Sequence, residues 1–113
     1  MKVTNLSKNT LLADKAGLAN TFFKRLIGLL NRRHLEKGEG LILSPSNCIH
    51  SFFMRFTIDV LFLDKKGKIV GILSSFKPFR FSPIYFRASL VIELPEFTIS
   101  STHTQPGDKI QIN

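Results

Sequence analysis

The sequence predicts a mostly β protein: a compact antiparallel β-sandwich or barrel of about seven to eight short strands with one amphipathic helix. Three observations lead to this prediction. Short apolar segments alternate with turn signals along most of the chain, and one segment alone has clear helical periodicity. The 113 residues are enough for one domain but not for two, so residues 1–113 are treated as a single domain with its own core.

The N-terminal third contains two predicted strands and the helix. Residues 2–14 are interpreted as two short strands around a turn at residues 5–9. Residues 20–31 are predicted to be helical because their apolar side chains cover one arc, and Asn20 or Thr21 can cap the first turn. This helix can pack on a sheet or lie on a membrane. Its three turns and the absence of tryptophan favour packing on the sheet.

Strand-like segments follow from residue 40 to the C-terminus. The most specific signal is at residues 64–67 (DKKG), a turn that joins two apolar segments into a predicted β-hairpin. Pro78 and Pro83 interrupt residues 76–83, which are predicted to be a loop or an edge segment. The predicted strands of this part are residues 40–44, 49–54, 56–64, 68–74, 88–94 and 108–112.

Charge and composition limit the class of protein. Sixteen lysines and arginines against eight acids give a net charge of +8 and a pI near 10.1. Such an excess favours an anionic partner, whether nucleic acid, anionic lipid or an acidic ligand. The cations are dispersed along the chain, so a net charge that only maintains solubility is the simpler interpretation.

The expected cellular setting follows from the cysteine count and the apolar runs. A single cysteine, Cys48, excludes an internal disulfide and a zinc site built on thiolates. No apolar run approaches the ~20 residues of a membrane span, and the N-terminal residues lack the apolar core of a signal peptide. We therefore expect a cytoplasmic protein, and a monomer.

Two polar residues within apolar segments are the leading candidates for function. Asp59 interrupts a strand, where a buried aspartate needs a partner. It is interpreted either as a ligand-binding or catalytic group or as a bonded residue that fixes the strand register. His50 lies among apolar neighbours, so we expect it to be partly enclosed, as a hydrogen-bonded core residue or as a base or ligand donor. Histidines with close-spaced partners are absent, so no metal is expected.

The aromatic residues give a further signal. Eleven phenylalanines stand against one tyrosine and no tryptophan, and most of these rings are expected in the core because phenylalanine has no polar group. Residues 76–81 (FKPFRF) alternate rings with cations, as a single-stranded nucleic-acid platform does. A proline-kinked edge whose rings fill the end of a barrel is the simpler interpretation. No nucleotide-binding motif is present, and no cofactor is expected.

Residues 45–64, PSNCIHSFFMRFTIDVLFLD, resemble the signature of domain-of-unknown-function family 192, an uncharacterised bacterial and archaeal family. The similarity extends to residues 21–32, 38–43, 77–79, 91–95 and 106–108, and so to most of the chain. The sequence departs from the family pattern at Thr57, where proline is common, and at Phe97, where glycine is frequent. The resemblance implies a compact, mostly β sandwich or barrel with a short helix and no assigned activity.

Three functional hypotheses remain open at this point. The leading one is a small β-barrel-like module that binds a small anionic or polar ligand. Its proposed pocket consists of His50, Asp59, Arg55, Asn47, Arg25 and Lys77. The second is an enzyme in which His50 is the base and Asp59 orients it. The third is nucleic-acid binding through the basic surface. The same polar residues can also serve only to stabilise the fold.

Overall fold

A computed structural model describes residues 1–30 and 32–113, apart from the side chain of Phe22. Within these residues the predicted mostly β class is confirmed, with eight short strands and two short helices. The elements in chain order are β1 (Val3–Asn5), β2 (Thr10–Ala13), β3 (Lys15–Ala19), α1 (Phe22–Ile27), β4 (Glu39–Leu43), β5 (Ile58–Leu63), β6 (Ile69–Phe76), β7 (Leu90–Pro95), α2 (Thr98–Ser101) and β8 (Ile110–Ile112).

The strands form two open sheets. One has three strands in the order β2-β1-β8, and the other has five in the order β3-β4-β7-β5-β6. The β3–β4 pair is parallel, and the other strand pairs of the two sheets are antiparallel. The sequence left both a sandwich and a barrel open, and over the described residues neither sheet closes into a barrel.

The central strands β5 and β7 of the five-stranded sheet are buried on both faces. All six residues of β5 are buried, although successive side chains of a strand point to opposite sides. Leu61 and Leu63 pack with residues of the three-stranded sheet, and we call this side the inner face. Ile58, Val60 and Phe62 pack in a second cluster with residues that follow α1, β4 and β6, and we call this side the outer face.

Helix α1 is shorter than the predicted helix. Thr21 caps it as expected, because its Oγ1 accepts a hydrogen bond from the Lys24 N–H at 3.2 Å. The helix ends at Gly28, whose φ of 50° and ψ of −120° are a conformation that favours glycine. Leu26 and Ile27 remain exposed, so the expected burial of an apolar helix face is wrong for these residues. Residue 31 of the predicted helix lies outside the described residues. Neither described helix is long and apolar enough to cross a membrane.

The predicted β-hairpin is confirmed, with β5 and β6 paired antiparallel across the turn at residues 64–67. Oδ1 of Asp64 accepts hydrogen bonds from the N–H groups of Lys66 and Lys68, each at 2.9 Å. Gly67 has a φ of 82°, which a residue with a side chain rarely adopts. These interactions are local, which explains why the sequence predicts them.

Four features differ from the sequence prediction. Strand β3 and helix α2 were not predicted, and residues 49–54 form a loop with one isolated bridge, between His50 and Phe81, instead of a strand. Most phenylalanine rings were expected in the core, and this expectation is wrong. Of the described rings, those of Phe62 and Phe76 are buried, whereas the exposed ones are Phe23, Phe53, Phe79, Phe81, Phe86 and Phe97.

Asp59 is buried on the inner face of β5, with 1% of its surface exposed. Its Oδ1 accepts a hydrogen bond from the Ser75 N–H at 2.9 Å, and its Oδ2 accepts one from the Ile99 N–H at 2.8 Å. Ser75 has a φ of 54° and lies at a register shift between β5 and β6. The carboxylate therefore holds this irregularity in place and ties α2 to the sheet, as the register-fixing interpretation requires.

We predict that Asp59→Ala lowers the free energy of unfolding by about 2–4 kcal/mol, because two buried N–H groups lose their acceptor. Asp59→Asn should cost less, since its amide oxygen still satisfies one of them. Urea denaturation at pH 7 measures both effects. Asp14→Ala, at an exposed aspartate, is the control and should change stability by less than about 0.5 kcal/mol. Equal unfolding midpoints for Asp59→Ala and the control would contradict this role.

Candidate functional site

A groove of about 400 Å³ opens on the outer face of the five-stranded sheet, and we call it the α1 groove. Its walls come from α1 and the residues that follow it, from β4, and from residues 46–54. The walls are largely apolar and include Leu26, Leu29, Leu43, Ile49 and Met54. Arg25, His50 and Glu93 also line it, so the groove combines apolar walls with a few polar groups, as small-molecule sites do.

Glu93 reaches the groove from the middle of β7. Its neighbours Ile92 and Leu94 pack on the inner face, so the Glu93 side chain lies on the outer face. A Cβ atom built on Gly28 would lie 3.7 Å from Glu93 Oε1, which places this oxygen beneath the end of α1. Glu93 is 3% exposed and forms no hydrogen bond or ion pair with the described residues.

The surroundings of Glu93 favour its neutral form. Burial raises the pKa of its carboxyl group from 4.5 to about 8. At pH 7 the group is therefore mainly a carboxylic acid, with one O–H to donate and a carbonyl oxygen to accept. Such a group can bind a ligand oxygen without bringing a negative charge to it.

Arg25 and His50 supply the other polar contacts of the groove. Arg25 is half-buried on α1 and lines the groove. His50 is exposed, contrary to the expectation of partial enclosure, because residues 49–54 form a loop and not a strand. Its Nδ1 accepts a hydrogen bond from the Phe52 N–H at 3.3 Å, which in the neutral ring leaves Nε2 as the donor.

The structure brings together two of the six pocket residues predicted from the sequence, Arg25 and His50. Asn47 is half-buried beside the groove, and its main-chain oxygen accepts a hydrogen bond from Tyr85. Arg55, Lys77 and Asp59 lie outside the groove, the first two exposed and the third buried.

The two residues of the hypothetical catalytic pair occupy different sides of the sheet. Asp59 is hydrogen-bonded to Ile99, which belongs to the inner core, whereas His50 lines the groove on the outer face. Both oxygens of the Asp59 carboxylate are occupied by main-chain N–H groups, and no hydrogen bond joins them to the described His50 ring. This carboxylate therefore does not orient the imidazole.

Glu93 is the residue that the sequence analysis missed. Its signal was present, because an acid between Ile92 and Leu94 in an apolar strand is as conspicuous as Asp59 in its own strand. The sequence does not show how the surroundings of Asp59 and Glu93 differ in the folded protein. One acid has main-chain partners within the fold, and the other faces an open groove.

Fold and site together define a mostly β, two-sheet protein with an apolar groove above a buried acid. The chain belongs to the DUF192 family (Uncharacterized ACR, COG1430), whose model matches residues 3–112. The resemblance seen in the sequence is thus confirmed.

Relatives and a solved structure agree with this assignment. The chain is 34% identical over 111 residues to a UPF0127 protein of Thermococcus sibiricus, covering 94% of this chain and 71% of the relative. It is 32% identical over 114 residues to a UPF0127 protein of Pyrococcus horikoshii, covering 96% of each. A crystal structure of a protein of unknown function from Novosphingobium aromaticivorans superposes with a TM-score of 0.85 at 21% identity, covering 98% of this chain and 82% of the other. That similarity shows a shared fold.

We predict that Glu93→Gln stabilises the protein at neutral pH. The folded protein keeps the Glu93 proton up to about pH 8, whereas the unfolded chain releases it near pH 4.5, so the free energy of unfolding falls as the pH rises between these values. The variant lacks this decrease and should be more stable by roughly 3 kcal/mol at pH 7, with little difference at pH 4. Urea denaturation of both proteins from pH 4 to 8.5 measures the effect. A stability difference that stays constant across this range would contradict it.

Proposed function

We propose that this protein is a binding module for a small amphipathic anion, a carboxylate or phosphate ester on a short apolar chain, and that the α1 groove is its site. Glu93 is the observation that carries this proposal. Glu93 has no hydrogen-bond partner among the described residues, and its carboxyl group is accessible from the groove, where a hydrogen bond can still be made. A ligand in the groove supplies that partner.

The anionic end of the ligand is inferred from the charges around the groove. Arg25 is half-buried in the groove wall, where its charge is less screened than on the open surface. The net charge of +8 attracts anions from solution. Neutral Glu93 donates its O–H to the same anion, and the Nε2–H of His50 adds a third donor from the rim.

The apolar body of the ligand is inferred from the walls. Leu26, Leu29, Leu43, Ile49 and Met54 offer an apolar surface along the length of the groove. Its volume of about 400 Å³ lies in the range of small-molecule sites and accommodates a chain of several carbons beside the anionic group.

We predict that hexyl phosphate and hexanoate bind at pH 6.5 more tightly than hexanol, which lacks the charge, and than hexylamine, whose charge Arg25 repels. Isothermal titration calorimetry measures the four affinities. Arg25→Gln should weaken the binding of hexyl phosphate about tenfold, because it removes a charge-assisted hydrogen bond. Lys24→Gln is the matched control, since Lys24 is an exposed neighbour outside the groove and its loss should leave the affinity unchanged.

The pH dependence isolates the contribution of Glu93. Affinity for hexyl phosphate should fall above about pH 8 in the unmodified protein, because ionised Glu93 repels the anion. Glu93→Gln keeps a donor and an acceptor at this position, so it should bind without that decrease. Cys48 and His50 also line the groove and are unchanged in this variant, so the difference between the two proteins reports Glu93 alone. Tighter binding of hexylamine, or equal affinities of Arg25→Gln and Lys24→Gln, would refute the proposal.

A further inference from the structure

We propose that the protein also binds single-stranded nucleic acid, on an exposed surface of phenylalanine rings and cations outside the α1 groove. We call this surface the aromatic ridge. It consists of Phe52, Phe53, Phe79 and Phe81 together with Arg55, Lys77 and Arg80. The inference does not depend on the function proposed for the groove, because the two sites use different side chains.

The four rings of the ridge contact one another by their edges. The ring centroids of Phe52 and Phe81 are 4.7 Å apart, and those of Phe53 and Phe79 are 5.7 Å apart, both in edge-on geometry. Phe52 also contacts Phe79 edge-on at 6.1 Å. The exposed fractions of Phe53, Phe79 and Phe81 are 74%, 52% and 76%. Ring faces therefore remain open to solvent, and an open ring face is what an unpaired base stacks on.

Main-chain hydrogen bonds hold the ridge in this shape. Ser51 is fully buried and joins its two loops. Its N–H donates to the main-chain oxygen of Arg80 at 2.9 Å, its main-chain oxygen accepts from the Phe79 N–H at 3.0 Å, and its hydroxyl accepts from the Arg80 N–H at 3.0 Å. The hydroxyl in turn donates to the main-chain oxygen of Lys77.

Two ridge residues adopt a conformation that a bulky side chain disfavours. Phe53 has a φ of 66° and Phe79 a φ of 61°, in the left-handed region where glycine and asparagine are more usual. Such strained residues persist only where the surrounding structure holds them firmly. Here the strain accompanies rings that are turned toward solvent and away from the core.

The positive charge around the ridge favours a single-stranded nucleic acid as its ligand. Residues 40–58 and 65–92, which carry the whole ridge, contain no aspartate or glutamate. Arg55, Lys77 and Arg80 are exposed and form no ion pair with the described residues. Lys77 and Arg80 line a shallow depression together with Phe81, so two cations that are dispersed in the sequence lie beside an exposed ring. A single strand offers both matching groups, phosphates for the cations and unpaired bases for the rings.

A membrane surface is the main alternative occupant of a basic, aromatic surface. Proteins that dock on membranes commonly use tryptophan and tyrosine at the headgroup level. This chain has no tryptophan, and its one tyrosine, Tyr85, is half-buried against Phe62. The ridge is therefore better suited to bases than to headgroups.

Fluorescence anisotropy with a labelled 20-nucleotide oligo-dT in 50 mM NaCl tests the proposal, with a 20-base-pair duplex as the comparison. We expect the single strand to bind more tightly than the duplex. Phe81→Ala should weaken binding of the single strand about tenfold. The double variant with Phe79→Ala and Phe81→Ala should weaken it further. Phe97→Ala is the matched control, because Phe97 is 65% exposed with a φ of 75° but precedes α2, outside the ridge.

The cations give a second, independent measurement. Lys77→Ala should reduce the slope of log Kd against log salt by about 0.7, the value for one phosphate contact on a single strand. Lys2→Ala, at an exposed lysine outside the ridge, should leave the slope unchanged. Thermal melting of each variant confirms that it is folded. If the double variant with Phe79→Ala does not fold, the affinity of Phe81→Ala alone tests the proposal.

Three results would overturn the proposal. The first is the absence of oligo-dT binding in 50 mM NaCl. The second is an equal loss of affinity in the Phe81 and Phe97 variants, which would show that the contact is nonspecific. The third is binding to phosphatidylglycerol vesicles that depends on Phe81 and occurs without any binding of oligo-dT, which would make the ridge a membrane-docking surface.

Discussion

Burial of strands β5 and β7 on both faces of the five-stranded sheet is the constraint on which the rest of the structure depends. Every residue of β5 is buried, and β7 buries Val91, Ile92, Glu93 and Leu94 in succession. A polar side chain on these strands reaches water only where the layer that covers its face is open, and elsewhere it needs a partner within the fold. The two acids at the centre of the sheet, Asp59 and Glu93, meet this requirement in opposite ways.

The two covers of the sheet explain this difference. The inner face is covered by the three-stranded sheet and α2. The N–H group of Ile99, in α2, donates the second of the two hydrogen bonds to Asp59. The outer face is covered by a six-residue helix and by loops, which leave the α1 groove open above Glu93. Asp59 has two main-chain donors, whereas Glu93 has none, and burial without donors raises the pKa of Glu93 to about 8. The layer that covers each face therefore determines whether the acid on that face is bonded within the fold or faces an open groove.

Sequence reasoning predicted what local interactions determine. The hairpin turn at residues 64–67 and the Thr21 cap depend on groups within four positions of each other, so their residues are sufficient to predict them. Asp59 was recognisable as an acid that needs a partner, but its two donors lie 16 and 40 positions away along the chain. Strand β3 depends on parallel pairing with β4, which no local pattern reveals. The groove could not be predicted, because its walls are brought together only by folding.

The hydrogen bonds that hold the loops of the aromatic ridge together do not require exposed aromatic rings. Ser51 joins the loops through its main chain and hydroxyl, and none of those hydrogen bonds involves an aromatic ring. Polar side chains at Phe53, Phe79 and Phe81 would keep the same bonds and would avoid exposing apolar surface. The left-handed backbone at two of these positions adds a cost of about 1–3 kcal/mol each. The edge-on contacts among the rings stabilise the loops but leave much of each of these three rings exposed, and that exposed surface is available for contacts beyond the chain itself.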